Sequence, residues 1–471
     1  MKRKVFFLLF PIGICVIFFI TSCNKENFIT SSDASLFVSS DSIKFDTVFT
    51  SIGSITKSFK IINQNNQKLL LSEIKLMGGS QSAFRINING TAATQLNNVE
   101  IEANDSMYVF VAITINPTQQ NLPFIISDSI KINYNGNDKF VQLQAYGQNA
   151  HFLNNEIITG NVTWQNDLPY VILGSLQINE SATLTVESGT KIFVHANAPI
   201  LVDGTLITQG LKNNEVIFTG DRLDGDYSNL PASWPGIIFR TSSKNNVLNF
   251  TIIKNAYQAI VALDPSVNAS PKLAILQCII NNAYDAGIFS NHTDILVENS
   301  LISNCGTGIK IVNGGNYQFV NCTSAGYSND FMSHNKPTLN VCNYIYQNGN
   351  PISSDLSARF TNCIFWGEGG TNTDEIYIDK LGNTVFDVTF DHSLYKVDVD
   401  PSNVNFISPK KNQDPIFDSV DVQNNFYDFR IKNNPLAPGL DQGINTSYLN
   451  DLDNQTRLIG NSTDIGCYEK Q

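Results

Sequence analysis

The chain of 471 residues is short of positive charge and of metal-binding side chains. Its 30 lysines and arginines face 42 aspartates and glutamates with no basic stripe among them. That balance argues against nucleic acid as a ligand, because phosphate binding needs concentrated positive charge. The five histidines, His151, His195, His292, His334 and His392, show no metal-ligand spacing, and each reads as structural or exposed. No Cys-x-x-Cys pair exists, which removes support for a zinc site. No serine sits in a nucleophile-elbow context, and Gly78-Gly79, Gly314-Gly315 and Gly369-Gly370 are turn signals without the surroundings of a phosphate-cradling loop.

One long apolar run is present. Lys2-Arg3-Lys4 precede residues 5–20, a basic stretch and an apolar stretch of signal-peptide size. The run holds Pro11 and Gly13 and is shorter than the ~20 apolar residues a spanning helix needs. It ends at Ile20-Thr21-Ser22-Cys23, which resembles the lipobox of bacterial lipoproteins. That resemblance implies a leader over 1–22, a lipid on Cys23 and a membrane as partner. Asn24-Lys25-Glu26-Asn27 resembles the charged tag that carries Bacteroidota lipoproteins to the cell surface, which implies an outer-membrane location. Cleavage removes three basic residues, leaving 27 against 42 acidic and a net charge of −15. Polar residues 23–35 read as a flexible tether.

From 36 to 149 short alternating strands are separated by turns, as in Ser42-Ile43-Lys44-Phe45-Asp46 and Met107-Tyr108-Val109-Phe110-Val111. About seven strands over this length suit a β-sandwich. Phe45-Asp46-Thr47-Val48, Phe59-Lys60-Ile61-Ile62-Asn63 and Val141-Gln142-Leu143-Gln144-Ala145-Tyr146-Gly147 resemble immunoglobulin-like modules of the abnormal-spindle/Hydin type, for which a scaffold role is implied.

The strongest pattern is a repeat: Cys278, Ser300, Cys322, Cys342 and Cys363 recur at steps of 22, 22, 20 and 21. Four of the five open similar phrases, such as Gln277-Cys278-Ile279-Ile280 and Asn362-Cys363-Ile364-Phe365. A unit this short cannot bury its own apolar face, so neighbours must stack as a solenoid. In-register cysteines would lie ~4.8 Å apart, off disulfide geometry, so buried free thiols are expected. Asn255-Ala256-Tyr257, Asn282-Ala283-Tyr284 and Asn304-Cys305-Gly306 read as bends, where asparagine adopts left-handed backbone and stacks coil on coil. Short β runs without helices favour an all-β chain whose second unit, 150–400, is a right-handed parallel β-helix of roughly ten coils, ~48 Å long. Residues 401–471 lack the repeat and read as its C-terminal cap, tied by Arg457, Asp451, Asp453 and Asp464.

The repeats resemble the pectin-lyase-like superfamily. The phrases Thr183-Leu184-Thr185-Val186-Glu187-Ser188-Gly189-Thr190, Asp414-Pro415-Ile416-Phe417 and Thr463-Asp464-Ile465-Gly466-Cys467-Tyr468-Glu469 are similar to bacterial cell-surface β-helix lipoproteins. Enzymes of the superfamily imply a row of acids or cations on one outer sheet, where they act as base, metal ligand or charge neutraliser. With Ile260, Ile288 and Ile309 inward, alternation turns Val261, Phe289 and Lys310 outward, which supplies no paired carboxylates. Asp285, Asp294, Glu298, Arg240, Arg359, Glu368, Asp374 and Glu375 occur singly and read as solvated.

One insertion gathers Asp221, Asp224 and Asp226 before Trp234. A calcium loop or a sugar platform would use these residues, and an ordered loop with Trp234 packed at its base is the plainer alternative. Five Asp-Ser/Thr-apolar tripeptides resemble Bacteroidota O-glycan acceptors, which makes Ser42, Thr47, Ser106, Ser129 and Ser419 candidates for modification. The expected function is a glycan- or protein-binding envelope scaffold with no cofactor beyond calcium. The alternative is a polysaccharide lyase or glycoside hydrolase.

Overall fold

The computed structural model describes residues 27–50, 53–116 and 124–471. Cys23 and the leader lie outside the described residues, as does the side chain of Asp226. Among the described residues the chain is nearly all β, with two short 3-10 turns. It divides into two compact units, residues 1–149 and 150–471, each with its own hydrophobic core.

The first unit is a β-sandwich of two five-stranded sheets. Leu36–Val38, Lys57–Asn63, Ser106–Ile113, Phe84–Ile88 and Thr91–Ala92 form one, and Ser42–Phe49, Asn137–Gln148, Phe124–Tyr134, Leu69–Leu76 and Gln95–Ile101 form the other. Strict alternation sends Phe59, Ile61, Val109, Val111, Ile130 and Ile132 into the core, as a half-buried pleated surface requires. The described part of the expected tether is held by the fold. Ile29 N–H donates to Lys68 O at 2.8 Å, the Asn135 amide bonds the Ile29 and Ser31 carbonyls, and Ala34 is buried. Residues 28–35 are therefore docked on the sandwich, because unpaired backbone at a sheet edge finds partners there.

The second unit is a right-handed parallel β-helix with three walls. Each coil lays one strand on each wall, and all pairings along the 26-stranded sheet from His151 to Lys411 are parallel. The first wall runs through Ile200–Val202, Ile237–Phe239, Gln258–Leu263, Leu339–Cys342 and Ile376–Asp379. The second includes Asn246–Asn249, Leu273–Leu276, Leu356–Thr361 and Phe386–Asp391. The third includes Thr251–Lys254, Ile279–Asn281, Leu301–Ser303, Thr323–Tyr327 and Ile364–Glu368. The long strands Ala286–Glu298 and Thr307–Val320 cross from first wall to second, bending at His292 and Asn313.

Corners explain the repeat chemistry. Gln277, Asn299, Asn321, Asn362 and His392 each have φ between 46° and 52° at the turn from second wall to third, a left-handed conformation that asparagine tolerates best among residues with a Cβ. The next residue in each coil is Cys278, Ser300, Cys322, Cys363 or Ser393, all buried. Each bends its Sγ or Oγ back to the carbonyl two residues earlier, at 3.2 Å for Cys278 and 2.8 Å for Ser300. Small hydrogen-bonding side chains thus satisfy carbonyls that the corner takes out of the ladder. All six cysteines described are free.

Cys342 departs from the expected register. It lies on the first wall opposite Asp379, half-buried, while Cys322 is followed in its own column by Cys363. Two insertions, the 328–338 loop and the hairpin Tyr344–Gln347 with Asn350–Ser353, lengthen that coil to 41 residues between Asn321 and Asn362. The step of 20 to Cys342 is therefore a coincidence of insertion length.

The C-terminal segment begins as a last coil, Asn405–Ile407 and Lys410–Lys411, then returns along the flank. Phe417, Phe429, Leu452, Ile465 and Cys467 pack on the outer side of the third wall, over Leu301, Ile364, Trp366 and Leu394. Asn362 clasps it by accepting from Ile444 N–H and donating to Ile444 O, and Gln277 donates to Asp451 O.

Candidate functional site

Corners from third wall to first are built on Asn255 and Asn282, with φ of 65° and 58°. Asn282 Nδ2 donates to Asn255 Oδ1 at 2.8 Å, so one side chain fixes the next coil. Two residues beyond each asparagine stands a tyrosine. Tyr257 and Tyr284 are 47% and 54% exposed, and their rings stack at 5.7 Å and 26°. Beneath them Trp234, Ala256 and Ala283 fill the interior.

Polar groups gather beside the pair. Gln258 Nε2 donates to Asp285 Oδ2 at 2.8 Å, and Lys336 Nζ reaches Asp285 Oδ1 at 3.3 Å. Partial burial pulls the Asp285 pKa upward, but the Gln258 hydrogen bond and the charges of Lys310 and Lys336 hold its carboxyl below the usual range. Next along the strands, Ile260, Ile288 and Ile309 point inward with no exposure. Val261, Phe289 and Lys310 are in register on the outer side, with Lys310 Nζ 5.6 Å from the Phe289 ring. The row continues through Asn340 to Tyr377.

The 328–338 loop carries Lys336 and is pinned from below. His334 Nε2 lies 2.8 Å from Glu375 Oε1, both side chains buried, and Thr338 N–H donates to Glu375 Oε2. A Cβ on Gly326 or Gly367 would stand 2.5 or 2.3 Å from the imidazole, so glycine at both positions makes room for it. Glu375 and Glu298 are thus not solvated as expected. Glu298 is covered by the returning C-terminal segment, where Tyr448 Oη donates to its Oε1, and burial raises its pKa.

Asp221, Asp224 and Trp234 of the insertion do not converge. Asp221 Oδ2 bonds His195 Nδ1 at 2.6 Å, Asp224 forks onto Arg222 at 2.9 and 3.2 Å, and Trp234 is buried with Nε1 on Lys254 O. A buried indole offers no sugar platform. What the insertion does expose is Tyr227, with the Arg222 guanidinium 3.5 Å from its ring centre. The insertion also leans on the asparagine corner, since Asn255 and Asn282 donate to the Ser228 and Asn229 carbonyls. Among the described residues no group of three His, Cys, Asp or Glu is arranged to hold a metal ion.

In the sandwich, Ser42 and Ser129 flank Gln142 on one outer sheet face, Thr47 pairs with Tyr146 on that face, and Ser106 begins a strand of the other sheet. Ser419 lies on Phe417–Asp421 in the C-terminal segment. Arg457 is buried beside Glu469 and bonds Asn299 Oδ1 at 2.9 Å, while Asp453 takes Lys212 and Arg430.

Residues 170–324 match the family model of the right-handed β-helix region. No curated protein matches. Among solved structures, the catalytic unit of a thermostable GH87 α-1,3-glucanase from Streptomyces thermodiastaticus is similar at 11% identity over 75% of this chain and 89% of that one, with a TM-score of 0.27. A PapD-like domain of human CEP192 aligns at 10% identity over 27% of this chain and 91% of that domain, with a TM-score of 0.18. A family 123 glycoside hydrolase from Clostridium perfringens aligns at 12% identity over 24% of this chain, with a TM-score of 0.17, and this chain spans only 26% of its length.

Proposed function

We propose that this protein is a lipid-anchored envelope protein that binds a glycan along the first wall of its β-helix. The observation that carries the reading is the exposed Tyr257–Tyr284 stack. Large aromatic faces left in water beside convergent polar groups are the ordinary makings of a ligand site. A pyranose presents an apolar face of C–H groups and an equatorial rim of hydroxyls. The rings suit the first, and Gln258, Asp285 and Lys336 suit the second. Coils repeat at ~4.8 Å, of the order of one sugar unit, so a linear glycan lying along the solenoid axis meets an equivalent group at each step.

The depressed pKa of Asp285 keeps it ionised at neutral pH, which makes it an acceptor for hydroxyls and a poor general acid. The lipobox at Cys23 and the tag after it support attachment to the outer membrane at the cell surface. A glycan array probed with the mature chain tests the reading. Expected is binding to a linear glycan that is lost when Tyr257 and Tyr284 are both replaced by alanine. Appearance of new reducing ends or of unsaturated products would replace the binding reading with the lyase or hydrolase reading, and absence of any binding would overturn it.

A further inference from the structure

We infer that one face of the β-sandwich rests on an anionic lipid surface, an inference that depends on the acyl anchor at Cys23. The two sheets of the sandwich differ in charge. The strands Leu36–Val38, Lys57–Asn63, Ser106–Ile113, Phe84–Ile88 and Thr91–Ala92 contain not one acidic residue; of their cations Lys60 and Arg85 stand on the outer face, while Lys57 is in phase with the inward Phe59 and donates to Lys44 O. The strands of the opposite sheet mix Asp46, Glu73, Glu100, Asp128 and Asp138 with Lys44, Lys75, Lys131 and Lys139. In a chain with 42 acidic residues, an outer sheet face whose strands offer Lys60 and Arg85 and no acid is locally cationic, and local positive charge attracts phosphate headgroups.

The same sheet turns large aromatic side chains outward. Phe37, Tyr108 and Phe110 are 47%, 44% and 40% exposed. Tyr108 and Phe110 stack at 5.7 Å and 17°, and Lys60 Nζ lies 4.9 Å from the Tyr108 ring. Phe37 stands opposite Ile62 on the neighbouring strand, and Arg85 projects from the strand beyond Phe110. Aromatic rings with cations interleaved are the composition of the membrane–water interface, where the ring enters the headgroup layer and the cation meets phosphate. Phe28 is already bridged to Lys68, so only four residues lie between it and Cys23, five steps with a reach of at most about 18 Å.

The test uses the full-length protein reconstituted in vesicles of phosphatidylglycerol or of phosphatidylcholine, with tyrosine nitration read by peptide mass spectrometry. Tyr146, on the opposite sheet and 41% exposed, is the internal control for Tyr108. Phosphatidylglycerol vesicles are expected to slow nitration of Tyr108 at least fivefold and to leave Tyr146 unchanged, with less protection on phosphatidylcholine. The double variant Lys60→Glu with Arg85→Glu, checked for an unchanged circular dichroism spectrum, is expected to lose that protection. Equal nitration of Tyr108 with and without phosphatidylglycerol overturns the inference, as does protection of Tyr108 by soluble glycan alone. Flotation with the vesicles reports the anchor separately. A chain that does not float refutes acylation, and nitration in excess phosphatidylglycerol still decides the face.

Discussion

The first and third walls of the β-helix share one interior and differ in what covers them. Ile260 and Ile288 of the first wall and Ile280 and Ile302 of the third are equally buried in a single core. Outward, the third wall presents Leu301, Ile364 and Leu394, and the returning C-terminal segment lies over them. The first wall presents Phe289 and Lys310, flanked by Tyr257 and Tyr284, and leaves both tyrosines about half-exposed. The inward rows therefore specify the solenoid, and the outward rows decide which flank is sealed and which is left exposed.

The sharpest way to break this contrast is to unseal the third wall. Arg457 is buried with Asn299, Glu469 and the Gly466 carbonyl, and removing one partner of a buried charge pair costs about 3 to 5 kcal/mol. Arg457→Ala is expected to lower urea stability by about that much and to redden the emission of Trp366, which the segment covers. A smaller effect is expected at a corner shared by both walls. Asn282 is left-handed, at φ 58°, and Asn282→Val should cost about 1 to 2 kcal/mol because a β-branched residue resists that backbone. Thermal denaturation checks it, and an unchanged midpoint would remove the asparagine corner from the account.

The seal should also respond to pH. Burial raises the pKa of Asp451, Asp464 and Glu469. A carboxyl raised in the folded state favours folding while protonated, so this contribution is full below the ordinary carboxylate pKa and is lost as pH rises through the raised values. Asp453 has the opposite sign. Burial pulls it upward, yet hydrogen bonds from Lys212 and Arg430 hold it low, so its contribution is lost under strongly acidic conditions. Amide exchange at Leu452 and Arg457, corrected for intrinsic rates, is expected to be slowest in mild acid and faster at pH 8. Exchange that slows steadily toward pH 8 would contradict this balance.

Much of the solenoid was legible because its signals are local. Cys278, Ser300, Cys322 and Cys363 keep one environment, a buried corner with a carbonyl to satisfy, and the asparagine before three of them keeps one backbone conformation. Cys342 misled because spacing alone cannot distinguish a coil from two insertions of equal length. The flanking path of the C-terminal segment was not legible either, since its contacts with Asn299 and Asn362 join residues far apart in sequence. The tyrosine pair was written in the two Asn-Ala-Tyr phrases, 27 residues apart at their asparagines. Those phrases signal bends, and only stacking of the coils shows that their third residues form one surface. Trp234 stands beside acids in the sequence, but its column with Ala256 and Ala283 is interior.

The smallest expected effect on stability accompanies the largest on binding. Replacing Tyr257 and Tyr284 together by alanine should leave stability within about 0.5 kcal/mol, as for surface positions generally. Calorimetric titration of that double variant against the glycan bound by the wild type is the most direct test. The account predicts at least a tenfold loss of affinity, about 1.4 kcal/mol, with the unfolding transition unmoved. Unchanged affinity in a folded variant would contradict it.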